Sequence, residues 1–96
     1  MKTFKDLVFT KHPYGLINGT CEFPNGFSIS VSAGKMPYCT PREDLDSEKD
    51  YSSFEVALFN PDGDFVTGEL LQNTDDVVGW CSRDDINNMM AIAAEQ

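Results

Sequence analysis

Two turn signals constrain this chain more than any other feature: Pro24-Asn25-Gly26 and Pro61-Asp62-Gly63, each set between residues that alternate apolar and polar. Proline fixes the first corner of a type I turn, and glycine takes the left-handed position after it without steric penalty. Phe27-Ser28-Ile29-Ser30-Val31-Ser32-Ala33 has the period of two of a half-buried strand, and Ile17, Cys21 and Phe23 form a weaker alternating set upstream. A two-residue Asn-Gly turn would set Phe23 against Ser28 and Glu22 against Ile29, so the apolar faces would disagree. Three loop residues set Phe23 against Phe27, Cys21 against Ile29 and Ile17 against Ala33. The faces then agree. A one-residue slip turns every side chain to the other face, so the three-residue loop with a glycine bulge is predicted.

The same device recurs downstream. Phe54-Glu55-Val56-Ala57-Leu58-Phe59 precedes the second turn, and Asp64-Phe65-Val66-Thr67-Gly68-Glu69-Leu70 follows it. A Pro61-Asp62-Gly63 loop sets Leu58 against Val66 and Phe54 against Leu70 on one face. Ala57 then meets Thr67, and Glu55 meets Glu69, on the other. The opening Phe4 to Thr10 is compatible with a further short strand that ends near His12-Pro13.

The C-terminus reads as a helix. Ser82 is a suitable N-cap, and Asp85 at the third helical position completes a variant capping box. Ile86, Met89, Met90 and Ala93 share one stripe, and Cys81 with Ile86 is spaced as a hydrophobic staple. These elements predict an α+β fold: a four-stranded, mainly antiparallel sheet of two β-hairpins with the C-terminal α-helix packed on one face. At 96 residues the chain is expected to be a single domain over 1–96. Residues 34–52, with two prolines, many charges and no periodicity, are left as a long acidic loop, and residues 72–81 as a linker into the helix.

Charge bears on the partner. Residues 1–42 hold five lysines and arginines against two acids, whereas residues 43–96 hold two against fourteen. Phosphate contacts need clustered basic residues, so direct nucleic-acid binding is not expected. An acidic surface suits a partner with a basic surface, or serves solubility alone. The short apolar run Leu7-Val8-Phe9 is neither a signal sequence nor a membrane span, and a cytoplasmic protein without membrane contact is expected. Cys21, Cys39 and Cys81 form no paired spacing, which suits a reducing compartment.

No catalytic constellation stands out. Asp44, Asp46, Glu48 and Glu55 approximate calcium-loop spacing, but Lys49 occupies the place of the turn glycine, and a solvated acidic loop accounts for them better. Cys21, Cys39, Cys81 and His12 match a zinc ligand count without ligand-pair spacing. Cys39 is expected to be an unreactive surface thiol. No phosphate-cradling glycine loop or nucleophile elbow is present. No catalytic, metal or cofactor-binding residue is assigned, no cofactor is expected, and a non-enzymatic role is expected. Tyr38 and Tyr51 are the candidate aromatic anchors of an interface. Trp80, beside Cys81, is expected to plug the edge of the core.

Asp6-Leu7-Val8-Phe9 with His12-Pro13, the segment Phe23-Pro24-Asn25-Gly26-Phe27, the strand Phe54-Glu55-Val56-Ala57-Leu58 and the stretch Thr74-Asp75-Asp76-Val77-Val78-Gly79 carry a likeness. In this order of motifs, the chain resembles a family of small tailed-bacteriophage accessory proteins without an established activity. It departs from the family in Ser28, where glycine is expected, and in Trp80-Cys81 after Gly79. The resemblance implies a protein made in the cytoplasm of an infected bacterium, and it assigns no residue a role.

The expected function is therefore a small acidic binding protein that docks on a host protein, with DNA mimicry or inhibition of a host defence as its sharper forms. Its expected surface is Glu43, Asp44, Asp46, Glu48 and Asp50, flanked by Tyr38 and Tyr51, with Asp62, Asp64, Asp75 and Asp76 contributing. Acids alternating along an extended 44–50 segment would lie about 6.6 Å apart, near the spacing of backbone phosphates. The alternative is a protein that sequesters a small molecule, such as a nucleotide, or an ion; only Lys35, Arg42 and Arg83 are then counted as available donors. Exposed sheet edges would also allow a homodimer.

Overall fold

The first turn forms in the register that three loop residues require. In the computed structural model, which describes residues 1–96, Ile17 pairs with Ala33 and Cys21 with Ile29. Phe23 N–H donates to the Phe27 carbonyl at 2.8 Å, and Gly26 takes φ +87°. The turn joins β2 (Ile17–Glu22) to β3 (Ser28–Ala33). β1 (Val8–Lys11) lies antiparallel outside β2, with Phe9 opposite Gly19, whose missing side chain leaves room for the ring.

β4 (Phe54–Phe59) lies antiparallel beside β3, and here the second hairpin departs from expectation. The register is as read: Phe59 bridges Phe65, and Val66 N–H donates to the Leu58 carbonyl at 2.9 Å. Pairing stops there. Thr67–Leu71 winds into a short helix, α1, and the buried Thr67 hydroxyl takes the Leu58 N–H at 2.8 Å. Gly68 weakens any continuing strand, because it brings no side chain to pack and has more freedom to lose. Leu70 therefore does not face Phe54, and Glu69 does not oppose Glu55. The edge of β4 is filled instead by β5 (Val78–Cys81), from the stretch left as a linker. The sheet has five strands, in the order β1-β2-β3-β4-β5, every pair antiparallel.

α2 (Arg83–Ala94) forms where its cap predicts. The Ser82 hydroxyl accepts from Asp85 N–H at 3.0 Å, and the Asp85 carboxylate accepts from Ser82 N–H at 2.9 Å. Ile86, Met90 and Ala93 are fully buried and join Ile17, Ile29, Val31, Phe54, Val56 and Leu58 in one core. Each fully buried large side chain of this kind contributes about 1.5–3 kcal/mol of transfer free energy. The other sheet face carries Thr20, Ser28, Ser30 and Ser32, which stay partly in solvent.

Residues 34–52 are more tightly built than a solvated loop. Thr40 bridges Ser53, and Glu48–Asp50 forms a 3-10 turn capped by Ser47. Cys39 is 2% exposed, its thiol donating to the Gly34 carbonyl at 3.1 Å, so it is not the surface thiol expected. Tyr51 is also 2% exposed. Its hydroxyl donates to the Glu43 carbonyl and accepts from Leu45 N–H, which folds the acidic stretch onto the core. Tyr51 is therefore a fastening of this segment and not an interface anchor. No helix is long and apolar enough to cross a membrane.

Candidate interaction surface

Between Phe54–Cys81 and Val56–Val78, β4 supplies one residue, Glu55, and β5 supplies two, Gly79 and Trp80. The extra residue makes a bulge, which re-aims the side chains around it. Trp80 adopts φ +53°, a left-handed conformation that is unusual for a bulky side chain. Its N–H donates to the Tyr38 carbonyl at 2.9 Å and not to β4. Its indole is 58% exposed, so it does not plug the core as expected. The bulge turns it outward.

The 36–42 segment closes over this bulge. Gly79 provides the space, because a side chain there would collide with Tyr38. The Tyr38 ring packs on Trp80 with centroids 5.2 Å apart, and the Arg42 guanidinium lies 5.0 Å from the Tyr38 ring centre. Arg42 also donates to the Met36 carbonyl at 3.0 Å, holding the turn closed. Tyr38 and Met36 are both exposed, Tyr38 against the indole and Met36 in the segment that Arg42 closes. An ordered cluster of Trp, Tyr and Arg in solvent has the composition of an interface core.

The acids named from the sequence sit in three separate segments, at 43–50, at 62 and 64, and at 75 and 76. Asp46 pairs with Lys11 at 2.7 Å, and this contact holds its carboxyl below the usual carboxylate range and raises the Lys11 ammonium. Asp44 is exposed but tied to the neighbouring turn, accepting from Lys35 N–H at 2.8 Å, and Asp50 caps the 3-10 turn by accepting from Ser47 N–H. Glu48 is half-buried, and Glu43 is exposed next to Arg42. The extended ladder expected over 44–50 is absent, because the 3-10 turn and these local bonds curl the segment. Asp62 and Asp64 sit in the turn at the far end of β4, about 17–20 Å of strand away. Asp75 and Asp76 lie in the approach to β5. No three His, Cys, Asp or Glu side chains gather as a metal site, and the calcium-like spacing brings no ligand set together.

Of the residues assigned from the sequence to the docking surface, Tyr38 alone lies at the centre of the cluster. The sequence carried one signal for its neighbour: an isolated glycine in a strand marks a bulge or a close approach, and Gly79 precedes Trp80. No protein-family model, curated protein or solved structure matches this chain.

Proposed function

We propose that the chain is a non-enzymatic binding protein that docks on another protein through the Tyr38–Trp80 face. One observation carries this assignment. The fold holds a tryptophan in solvent at a left-handed backbone position, although such a position costs about 1–2 kcal/mol for a residue with a side chain. Strained residues of this kind persist where the surrounding structure enforces them, and they cluster at recognition and catalytic sites. The Tyr38 ring and the Arg42 guanidinium preorganise the indole, so little rotamer freedom is left to lose on binding.

The partner offers an apolar recess for Trp80 and Tyr38, rimmed by basic residues that meet Glu43 and the net charge of −9. Rim charge of this sort speeds encounter and makes the rate salt-dependent, while the aromatic pair sets the lifetime of the complex. The resemblance to phage accessory proteins supports a bacterial host protein as that partner. Phosphate mimicry is left aside, since the ladder it needs is not formed.

The immobilised protein is challenged with bacterial lysate, and a retained protein is purified and titrated against variants. Trp80→Ala is expected to weaken binding by at least about 30-fold, in the range of a hot-spot truncation. Asp62→Asn with Asp64→Asn, in the turn at the end of β4, is expected to alter only the rate of association. Binding by Trp80→Ala as tight as wild type would overturn the assignment.

A further inference from the structure

A cavity of about 340 Å³ opens between the 3-10 turn at Phe4–Asp6, the start of β1 and the start of α2. It shares no residue with the Tyr38–Trp80 face. Phe4, Leu7 and Phe9 form its apolar side, and Lys5, Lys49, Arg83 and Glu48 its polar side. The volume is at the lower end of the range of small-molecule sites. The floor is fixed in place. Phe4 N–H donates to Asn87 Oδ1 of α2 at 2.8 Å, and the Phe4 ring packs on Phe9 and Phe54.

The charge of this cavity runs against that of the molecule. Three of the chain's seven lysines and arginines line it, in a protein with sixteen acids. Arg83 is half-buried, yet it pairs with no carboxylate, since the chain's one ion pair joins Lys11 to Asp46. Its guanidinium lies 5.0 Å from the Phe4 ring centre and 5.1 Å from that of Phe54. Two of its N–H groups donate to the carbonyls of Tyr51 and Glu48, at 2.9 and 2.7 Å. A guanidinium has five such donors in a fixed fork, so the plane is held rigidly with donors to spare. A half-buried, preorientated cation that forms no salt bridge, beside an aromatic wall, is suited to an anion that carries its own flat ring. Glu48 accepts a hydrogen bond from the Ser47 hydroxyl and presents a carboxylate to the cavity, which suits a ligand that also bears hydroxyl or amino donors.

We infer that this cavity binds a nucleoside monophosphate, with its phosphate toward Arg83, Lys5 and Lys49 and its base against Phe4 and Phe9. The ring and the charge act together, so neither a neutral nucleoside nor a bare phosphate ion satisfies the site. Lys5 and Lys49 are exposed, and neither ammonium is engaged in a hydrogen bond or ion pair, so both can be changed without disturbing the core.

The test is titration of the full chain with adenosine monophosphate, uridine monophosphate, adenosine and inorganic phosphate, followed by backbone amide chemical shifts. The monophosphates are expected to move the amides of Phe4, Leu7, Phe9, Lys49 and Arg83. Their affinity is expected to exceed that of adenosine or inorganic phosphate by at least about tenfold, the effect of one charge-assisted contact. Lys5→Gln with Lys49→Gln is expected to weaken the monophosphates by a similar factor, with thermal stability unchanged. Four outcomes would overturn the assignment: no shift at these amides, shifts centred elsewhere, equal binding of adenosine or of phosphate alone, or wild-type affinity in the double variant.

Discussion

Gly79 lies directly beneath Tyr38: a Cβ in place of the Gly79 hydrogen would sit 2.6 Å from the Tyr38 Cβ and 3.3 Å from its carbonyl oxygen. The backbone of Gly79 is not left-handed, so the requirement for glycine is one of space. The aromatic face thus depends on a residue that contributes no atom to it.

Gly79→Ala is accordingly expected to lift the 36–42 segment from the sheet. Overpacking of this kind typically costs about 1–3 kcal/mol. The near-ultraviolet circular dichroism of the Tyr38–Trp80 pair should fall together with the urea midpoint. An unchanged aromatic signal would show that the loop accommodates the methyl group.

Trp80 gives the opposite pattern, in which function is lost and the fold is kept. Asparagine tolerates the left-handed conformation, so Trp80→Asn relieves strain of about 1–2 kcal/mol. It forfeits an aromatic pair worth about 0.5–1.5 kcal/mol beyond its area burial, in a residue that lies mostly in solvent. The terms nearly cancel, and urea unfolding should place the variant within about 1 kcal/mol of wild type. A loss above about 2 kcal/mol would make Trp80 a structural residue, at odds with a recognition role.

The Thr67 hydroxyl does the work of a missing strand. It accepts from Leu58 N–H at 2.8 Å and reaches the Leu58 carbonyl at 3.4 Å, where both residues are fully buried. Thr67→Val keeps the shape and removes the acceptor, which leaves a buried N–H unsatisfied. Such an orphan costs about 1–3 kcal/mol. Thr67→Ser keeps the oxygen and should retain most of the stability in the same urea titration. If the valine variant matched wild type, Leu58 N–H would have found another partner.

Where a pattern was local, the sequence was readable. The Pro24-Asn25-Gly26 turn fixed the β2–β3 register, because only one loop length let Phe23, Cys21 and Ile17 share a face with Phe27, Ile29 and Ala33. The Ser82–Asp85 cap and the Ile86–Met90–Ala93 stripe located α2 for the same reason. The second turn was legible only as far as Val66. Beyond it, Thr67-Gly68-Glu69-Leu70 alternates as a strand would, and tertiary competition from β5 decided for a helix. β5 itself has four residues, a glycine and a bulge, too little pattern to separate from a linker. The Tyr38–Trp80 pairing joins residues far apart in sequence through that same bulge, so no local signal contained it. The acidic half was readable as composition, but its placement depends on Tyr51, Lys11 and Ser47, each of which draws the segment to a different contact.

The three thiols provide a last test of how closely the acidic segment is packed. Burial raises the pKa of Cys21 and Cys39, and burial with the nearby Asp85 carboxylate pushes Cys81 up to about 11. Only the thiolate attacks a disulfide reagent, so the native protein should react with Ellman's reagent far more slowly than the unfolded chain near pH 8. Fast labelling of Cys39 would mean that the 34–42 segment opens readily. Because the folded pKa of Cys81 lies above its unfolded value of about 9, the folded state favours the neutral thiol. That contribution is fully present below pH 9 and is lost as the pH rises toward 11. Urea midpoints should therefore fall over this alkaline window, and Cys81→Ala, destabilised at neutral pH by its cavity, should fall less steeply. Parallel alkaline slopes for the two proteins would show that Cys81 is hydrated and ionises in the native state.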